Sequence, residues 1–432
     1  MDKSNYRPIS LLPVVSKIFE RILANQLLKF LEKSFSKLLC GFRKGHSTQH
    51  TLLNMLRNWQ NCIAKSGKVG ALLIDLSKAF DCLPHDLLLA KLGAYGIGEN
   101  SLKLLRHYLS NRKQRVRIGS HLSYWLEILL GVPQGSILGP LLFNLFINDL
   151  LFTRNNISNF ADDNTLYVCE SNLAKVVESL VHDLNQITNW FNSNSMVANP
   201  SKFKLIFPGT VNASIAIKVG KFVFNSVETV KLLGMNIDSK LSFVPHVKEL
   251  CKKSNQKIRA LKRIRHLISR EKAELLVNAY ILSPFNYCPL IWIFCGKEGN
   301  RLIKQTHHRA LRTLINADSK TYEEVLLDCN TADIHSRNLR LLVTEVYKSL
   351  NNISPDIMQN IFAVKESKYS LRSGINLEVP FAKNTFGLNT FDARATMAFN
   401  KLPANIKSQA SAKLFKLSLE RIKPECNCKI CI

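Results

Sequence analysis

Three aspartates carry the clearest chemistry in this chain. Asp75 ends the apolar run Leu72-Leu73-Ile74-Asp75-Leu76, which reads as a buried strand. Asp162-Asp163 lies between apolar residues at the turn of an expected hairpin. If those strands lie side by side, three carboxylates meet at one sheet edge. Carboxylates that close repel one another, so the trio makes sense mainly around hard divalent cations, which prefer carboxylate oxygen and keep positions open for phosphate. Such a donor set suits two-metal phosphoryl transfer. An Asp pair alone reads more simply as turn chemistry, because the Asp side chain bonds the local backbone. The third carboxylate at a core strand's end is what favours metal.

These positions depend on the elements around them. A helix is expected over Val14–Leu31, with Val15, Ile18, Leu23, Leu27, Leu28 and Leu31 as its apolar residues, and another over Thr48–Ala64. A strand over Val69–Leu76 follows. Pro84 opens and Gly96 closes a helix, the usual Pro-start and Gly-stop asymmetry. Asn100 or Ser101 caps the next one, which runs to about Asn111. Gln114–Ile118 and Tyr124–Leu130 read as strands joined by a Gly-Ser-His turn. After Gly131-Val132-Pro133-Gln134-Gly135-Ser136 comes an apolar helix from Ile137 to about Leu151. Ile157–Phe160 and Thr165–Val168 flank the Asp pair. Helical spacing then runs from Leu173 to Phe191, and Phe203–Phe207 is a strand. From Asp75's strand onward the order is β-α-β-β-α-β with one insertion. That is the ferredoxin-like plan, and it sets Asp75 on one central strand with Asp162-Asp163 beside it.

The 432 residues hold 59 Lys+Arg against 32 Asp+Glu, a net charge of +27, which favours a polyanionic partner. Hydrophobic residues make up 46%, enough for a sizeable core and against wholesale disorder. Eleven cysteines without framework spacing suit a reducing compartment, so nucleus or cytoplasm is expected. The polar start is no signal peptide. The longest apolar stretch, Tyr280 to Cys295, is broken by Pro284 and Pro289 and is too short for a membrane span, so no membrane partner is expected. Between Lys248 and Arg265 lie eight Lys/Arg and one acid, Glu249. Within this run Lys252, Lys253, Lys257, Arg259, Lys262 and Arg263 are the candidates for gripping a phosphate backbone. A second cluster, Lys103 to Arg117, has six Lys/Arg and no acid, and its role stays open.

Leu73-Ile74-Asp75-Leu76-Ser77-Lys78-Ala79-Phe80-Asp81, Gly131-Val132-Pro133-Gln134-Gly135-Ser136 and Phe160-Ala161-Asp162-Asp163 resemble the core motifs of reverse transcriptases, in the order and spacing of the non-LTR (LINE-type) retrotransposon branch. Tyr6-Arg7-Pro8-Ile9-Ser10 and Gly41-Phe42-Arg43-Lys44-Gly45 resemble its finger motifs, Leu184 to Lys202 the following helix-strand motif, and Val230-Lys231-Leu232-Leu233-Gly234 the last palm motif. The resemblance implies a right-hand polymerase of α+β class, with a ferredoxin-like palm, fingers, a helical thumb and a C-terminal region. It implies RNA-directed DNA polymerase activity with Mg²⁺, for which Mn²⁺ can substitute, and an RNA template, a DNA primer and dNTPs as partners. Asp75 and Asp162 would hold both metal ions, with Asp163 beside them. Phe80 would block a ribose 2′-hydroxyl. Arg43 and Lys44, with Arg7 as a weaker candidate, would meet the triphosphate. Gln134 would lie near nucleotide and template, and Lys202 would protonate the leaving pyrophosphate. Read alone, Phe80 is a core aromatic and Lys202 a surface lysine.

The expected division is 1–240 for fingers and palm, 241–345 for the basic thumb and 346–432 for a separate C-terminal region. The tail Cys426-Asn427-Cys428-Lys429-Ile430-Cys431 offers three thiolates, one short of the four that structural zinc takes, so Zn²⁺ there is the less favoured reading. The chain starts almost at Arg7-Pro8-Ile9 and shows no endonuclease constellation, so that activity would come from a separate protein. Phe203 stands where the resemblance leads one to expect a hydroxyl residue. The alternative is a truncated or catalytically decayed nucleic-acid-binding relic.

Overall fold

The computed structural model describes residues 9–152, 156–210, 214–315, 319–365, 375–384, 386–420, 422 and 424. Arg7 and the three tail cysteines lie outside the described residues. Helices α1 (Val14–Leu31) and α2 (Thr48–Ala64) precede strand β1 (Lys68–Ile74). Then come α3 (His85–Ala94), α4 (Glu99–Leu109) and four short strands, β2 (Lys113–Gln114), β3 (Arg117–Ile118), β4 (His121–Leu122) and β5 (Leu126–Glu127). The chain continues through α5 (Leu138–Ile147), β6 (Ile157–Phe160), β7 (Asp163–Glu170), α6 (Leu173–Ser193) and β8 (Lys204–Ile206).

The main sheet has the order β6-β7-β1-β8, and every neighbouring pair is antiparallel. With α5 and α6 as its crossovers this is the ferredoxin-like plan that the sequence predicts. β1 reads as a continuous apolar run because both faces are covered. Val69, Ala71 and Leu73 enter a core with Leu56 and Trp59 of α2, whereas Leu72 and Ile74 enter a second core with Phe143 of α5 and Leu180 of α6.

Two small β-ladders follow, β9 (Ala216–Val219) with β10 (Phe222–Asn225) and β11 (Thr229–Leu232) with β12 (Met235–Asp238). The helices that follow are α7 (Val244–Ile264), α8 (Arg270–Leu276), α9 (Pro289–Trp292), α10 (Gly296–Ile315), α11 (Tyr322–Asp328), α12 (Ile334–Leu350), α13 (Phe391–Asn400), α14 (Ala404–Lys407) and α15 (Ala412–Glu420). No helix among the described residues is long and apolar enough to cross a membrane.

The expected boundary near residue 345 falls inside α12. Phe391, Phe399 and Phe415 share one core with Leu52 and Trp59 of α2. The Arg57 guanidinium meets the Asp392 carboxylate with Nη2 2.8 Å from Oδ2, both side chains being nearly buried. On α1, Val15 and Ile18 are exposed, while Glu20 is buried together with Ala24 and Leu31. The expected strands Gln114–Ile118 and Tyr124–Leu130 shrink to ladders two residues long.

Candidate active site

β1 delivers Asp75 one residue past its end. There the backbone stays pinned, because Asp75 O accepts from Asn199 N–H at 2.9 Å and Ser77 N–H donates to Val197 O at 2.8 Å. β6 and β7 are joined by a two-residue turn, Ala161-Asp162, closed by the pairing of Phe160 with Asp163. Ala161 has φ +57°, a left-handed conformation uncommon outside glycine. Buried amides brace this turn. Asn159 Nδ2 donates to Ala161 O (2.8 Å) and Asn164 Oδ1 (2.9 Å), and Asn164 Nδ2 donates to Asp162 O (3.1 Å).

In the β1–β7 register Ile74 pairs with Asn164. One further step sets Asp75 opposite Asp163, with Asp162 in the turn beside them. Residues directly opposite in an antiparallel pair point to the same face. The donor set fits a hard divalent cation in kind: carboxylate oxygens on adjacent backbones at an accessible edge. Among the described residues no three His, Cys, Asp or Glu side chains are drawn together closely enough to hold one. Instead Lys202 Nζ lies 3.2 Å from Asp75 Oδ2. The resemblance implies a pyrophosphate role for that lysine; here its exposed ammonium pairs with a carboxylate.

The turn after β1 carries Phe80. Its ring stacks on Phe143 of α5 (centroids 4.3 Å apart, 23°) and meets the exposed Phe42 ring edge-on at 5.9 Å. Phe80 is therefore half-buried, between the core ring of Phe143 and the exposed ring of Phe42. The loop of residues 131–136 is fastened to the same turn. Val132 N–H donates to Phe80 O at 2.8 Å, and Gln134 Nε2 donates to Asp81 Oδ1 at 2.9 Å. A Cβ on Gly131, whose φ is +82°, would sit 2.6 Å from the Asp81 backbone, so the close approach requires glycine.

Gly41 serves the finger loop in the same way. A Cβ there would lie 2.4 Å from Ala161 N, and Leu39 bridges Asn159, so the loop bearing Arg43 and Lys44 rests on the Asp162 turn. Lys44 is exposed. Arg43 is turned inward: Nη1 donates to Ser36 O and Leu39 O, both at 3.2 Å, and the guanidinium lies over the Phe35 ring. These contacts tie the side chain to the start of its own loop.

Several positioning residues escaped the motifs. Glu20 accepts from the N–H groups of Ile137 (2.6 Å) and Leu138 (3.2 Å), capping α5 from α1. Asn148 accepts from Ser36 N–H and donates to Ser34 O and the Tyr95 hydroxyl. Asn144 Nδ2 donates to Gly41 O at 2.7 Å. The spacing of Glu20 with Ala24 and Leu31, on the buried side of α1, was the one signal available for the first.

On α7, Val247, Cys251, Ser254, Ile258 and Leu261 are buried. Lys252, Arg259 and Arg263 are exposed and fall within about 40° of one another around the helix, at 3.6 residues per turn. Lys262 and Lys253 flank that stripe, the latter paired with Glu249. Lys257 is diverted: its Nζ donates to Tyr280 O and lies 4.2 Å from the Tyr280 ring centre.

A ferredoxin-like sheet with carboxylates at the ends of its two central strands, a finger loop laid on their turn and a helical basic module after it defines the palm of a right-hand polymerase. Residues 1–237 match the family described as reverse transcriptase (RNA-dependent DNA polymerase), and the chain belongs to that family. It is similar to the probable RNA-directed DNA polymerase from transposon BS of Drosophila melanogaster, at 28% identity over 72% of this chain and 36% of that protein. It is also similar to the RNA-directed DNA polymerase from mobile element jockey of Drosophila melanogaster, at 28% identity over 83% of this chain and 40% of that one. These relatives are polymerases of mobile elements, as the resemblance implies. Among solved structures, apo telomerase from Candida Tropicalis aligns with a TM-score of 0.40 and 12% identity, over 78% of this chain and 59% of that chain. The chain spans well under half the length of the mobile-element relatives.

Proposed function

We propose that this chain is an RNA-directed DNA polymerase that extends a DNA primer on an RNA template, using dNTPs and Mg²⁺ or Mn²⁺, in the nucleus or cytoplasm. The observation that carries the reading is the register that brings Asp75 opposite Asp163 beside the Asp162 turn, within a chain of the reverse transcriptase family. Asp75, Asp162 and Asp163 would hold a divalent metal pair, which would supply an activated primer 3′-hydroxyl and charge neutralisation on the triphosphate. The remaining work falls to the chain. Phe80 closes the ribose side of the cleft, and Gln134, fixed by Asp81, lines it. Lys44 on the finger loop faces the triphosphate, with Arg43 holding that loop in place. The Lys252, Arg259 and Arg263 stripe grips the duplex backbone, independently of sequence and weakening with salt.

The Lys202–Asp75 pair favours a second reading, a relic that binds nucleic acid without turnover, because an ammonium already neutralises a metal ligand. Primer extension on RNA and DNA templates separates the two. Product that requires divalent metal and disappears in Asp75→Asn supports the polymerase; duplex affinity without product in any metal supports the relic.

A further inference from the structure

The second basic cluster of the sequence forms a feature that the site described above does not use. β2 to β5 make a protruding hairpin, closed by Gly119 and Ser120 between Ile118 and His121. Arg117 pairs with Leu122 near its tip, and Gln114 pairs with Leu126 nearer its base. Between these pairs the count shifts by one, so that Tyr124 and Trp125 together oppose Arg115. This is a β-bulge, the device that re-aims side chains. Tyr124 is 92% exposed and Trp125 58%, and the Arg115 guanidinium lies 4.6 Å from the Trp125 ring centre. Alternation puts Lys113, Arg115 and Arg117 on one face, about 7 Å apart in sequence along the strand. The single acid, Glu127, stands 3.8 Å from Lys113.

We propose that this hairpin is a platform for single-stranded RNA, taking the unpaired template on its way to the nucleotide cleft. The inference rests on the proposed copying of an RNA template. Stacking on exposed rings needs unpaired bases, and evenly spaced cations beside those rings suit the backbone of one strand. The hairpin is also joined to the cleft. Past β5, Leu130 bridges Pro84, Gly131 N–H donates to Leu83 O, and Val132 N–H donates to Phe80 O. Trp125 is thus six residues from Gly131, about 20 Å of extended chain.

The test uses the full chain and two labelled primer–templates, one with a long single-stranded RNA overhang and one blunt. Tyr124→Ala/Trp125→Ala lowers affinity for the overhang substrate about tenfold and leaves the blunt one unchanged. Lys113→Ala/Arg115→Ala/Arg117→Ala reduces the salt slope for the overhang substrate by about two. Overhang RNA quenches tryptophan fluorescence in the parent chain, and Trp125→Ala abolishes that quenching. All of these changes are on exposed side chains, and circular dichroism checks that the fold is kept. Equal losses on both substrates, or none, overturn the proposal. So does a change in sedimentation state in the variants, which would mark the hairpin as a contact between copies. Overhang binding without extension in the parent chain counts against the polymerase alone; extension without an overhang effect counts against the hairpin alone.

Discussion

Glu20 offers a test of how the Gln134 loop is held. Its carboxylate is fully buried, and one oxygen accepts from the backbone N–H of Ile137 at 2.6 Å and of Leu138 at 3.2 Å. Both donors stand at the start of α5, where N–H groups lack an intrahelical acceptor. Glu20→Ala removes the acceptor for both N–H groups, and for the Ser16 hydroxyl that donates to its other oxygen at 3.4 Å. A hydrogen bond to a charged group contributes about 1.5–3 kcal/mol, the longer of these two less. A negative charge at a helix N-terminus adds about 0.3–1 kcal/mol. Relief from burying a carboxylate offsets part of the loss, so Glu20→Ala is expected to cost about 3 kcal/mol. Glu20→Gln keeps an oxygen of the same reach and gives up only the charge, so it should cost about 1 kcal/mol. Urea unfolding at constant m-value measures both. Extension assays on the alanine variant should also show a raised KM for dNTP, because residues 133–136 lead directly into the uncapped helix. Losses from the two variants that agree within about 0.5 kcal/mol would refute this account and leave Glu20 contributing by volume alone.

Three further outcomes can be checked directly. Phe80→Ala should weaken discrimination against ribonucleotides about 10- to 100-fold, read as the ratio of kcat/KM for dNTP and rNTP, since one steric wall is removed; the lost stack on Phe143 costs about 0.5–1.5 kcal/mol. Asp392→Ala strands the nearly buried Arg57 and should cost about 3–5 kcal/mol in a single cooperative urea transition, and a separate early transition of the C-terminal region would contradict the shared core. His307 is buried and hydrogen-bonded at Nδ1 to the Tyr322 hydroxyl, and burial lowers its pKa from 6.5 to about 4. The unfolded state therefore binds the proton first, so this contribution is complete above pH 6.5 and falls away as the pH drops toward 4; His307→Gln should flatten that part of the stability profile.

The palm was legible because its signals are local. β1 is a continuous apolar run, α6 repeats apolar residues at helical spacing, and the Asp pair sits between two strand-forming arms. Strand order then followed from the sequence of elements. α1 spans the residues its spacing predicts, but that spacing does not say which side is buried. Val15 and Ile18 face outward, while the buried side holds a charged residue whose partners lie 117 and 118 positions away. Arg43 is a similar case. Its residue type suits phosphate, and Nη1 also donates to two carbonyls a few residues upstream, a loop contact that residue type alone does not announce. The C-terminal region looked separate because its periodicity is weak. What joins it to α2 is a set of specific contacts, Arg57 to Asp392 and Gln60 to the Phe391 N–H, that no spacing rule registers.

The positioning groups around the cleft share one physical character. Glu20, Asn144, Asn148 and Asn159 are buried, polar and close to α5 or the Asp162 turn. Two of them, Asn144 and Asn148, hold backbone of the segment running from residue 34 to the finger loop, more than a hundred positions away in sequence. Apolar packing alone would leave these segments free to slide, because dispersion and area burial have little directional preference. A hydrogen bond made in a low-dielectric interior is directional, and breaking it without a substitute leaves a costly unpaired group. The finger loop, the Gln134 loop and the aspartate turn are therefore held at fixed separations by amides and a carboxylate, while the hydrophobic cores on either side of β1 supply the bulk of the cohesion. The motifs mark where the chemistry sits; the buried polar contacts decide whether its parts stay in register.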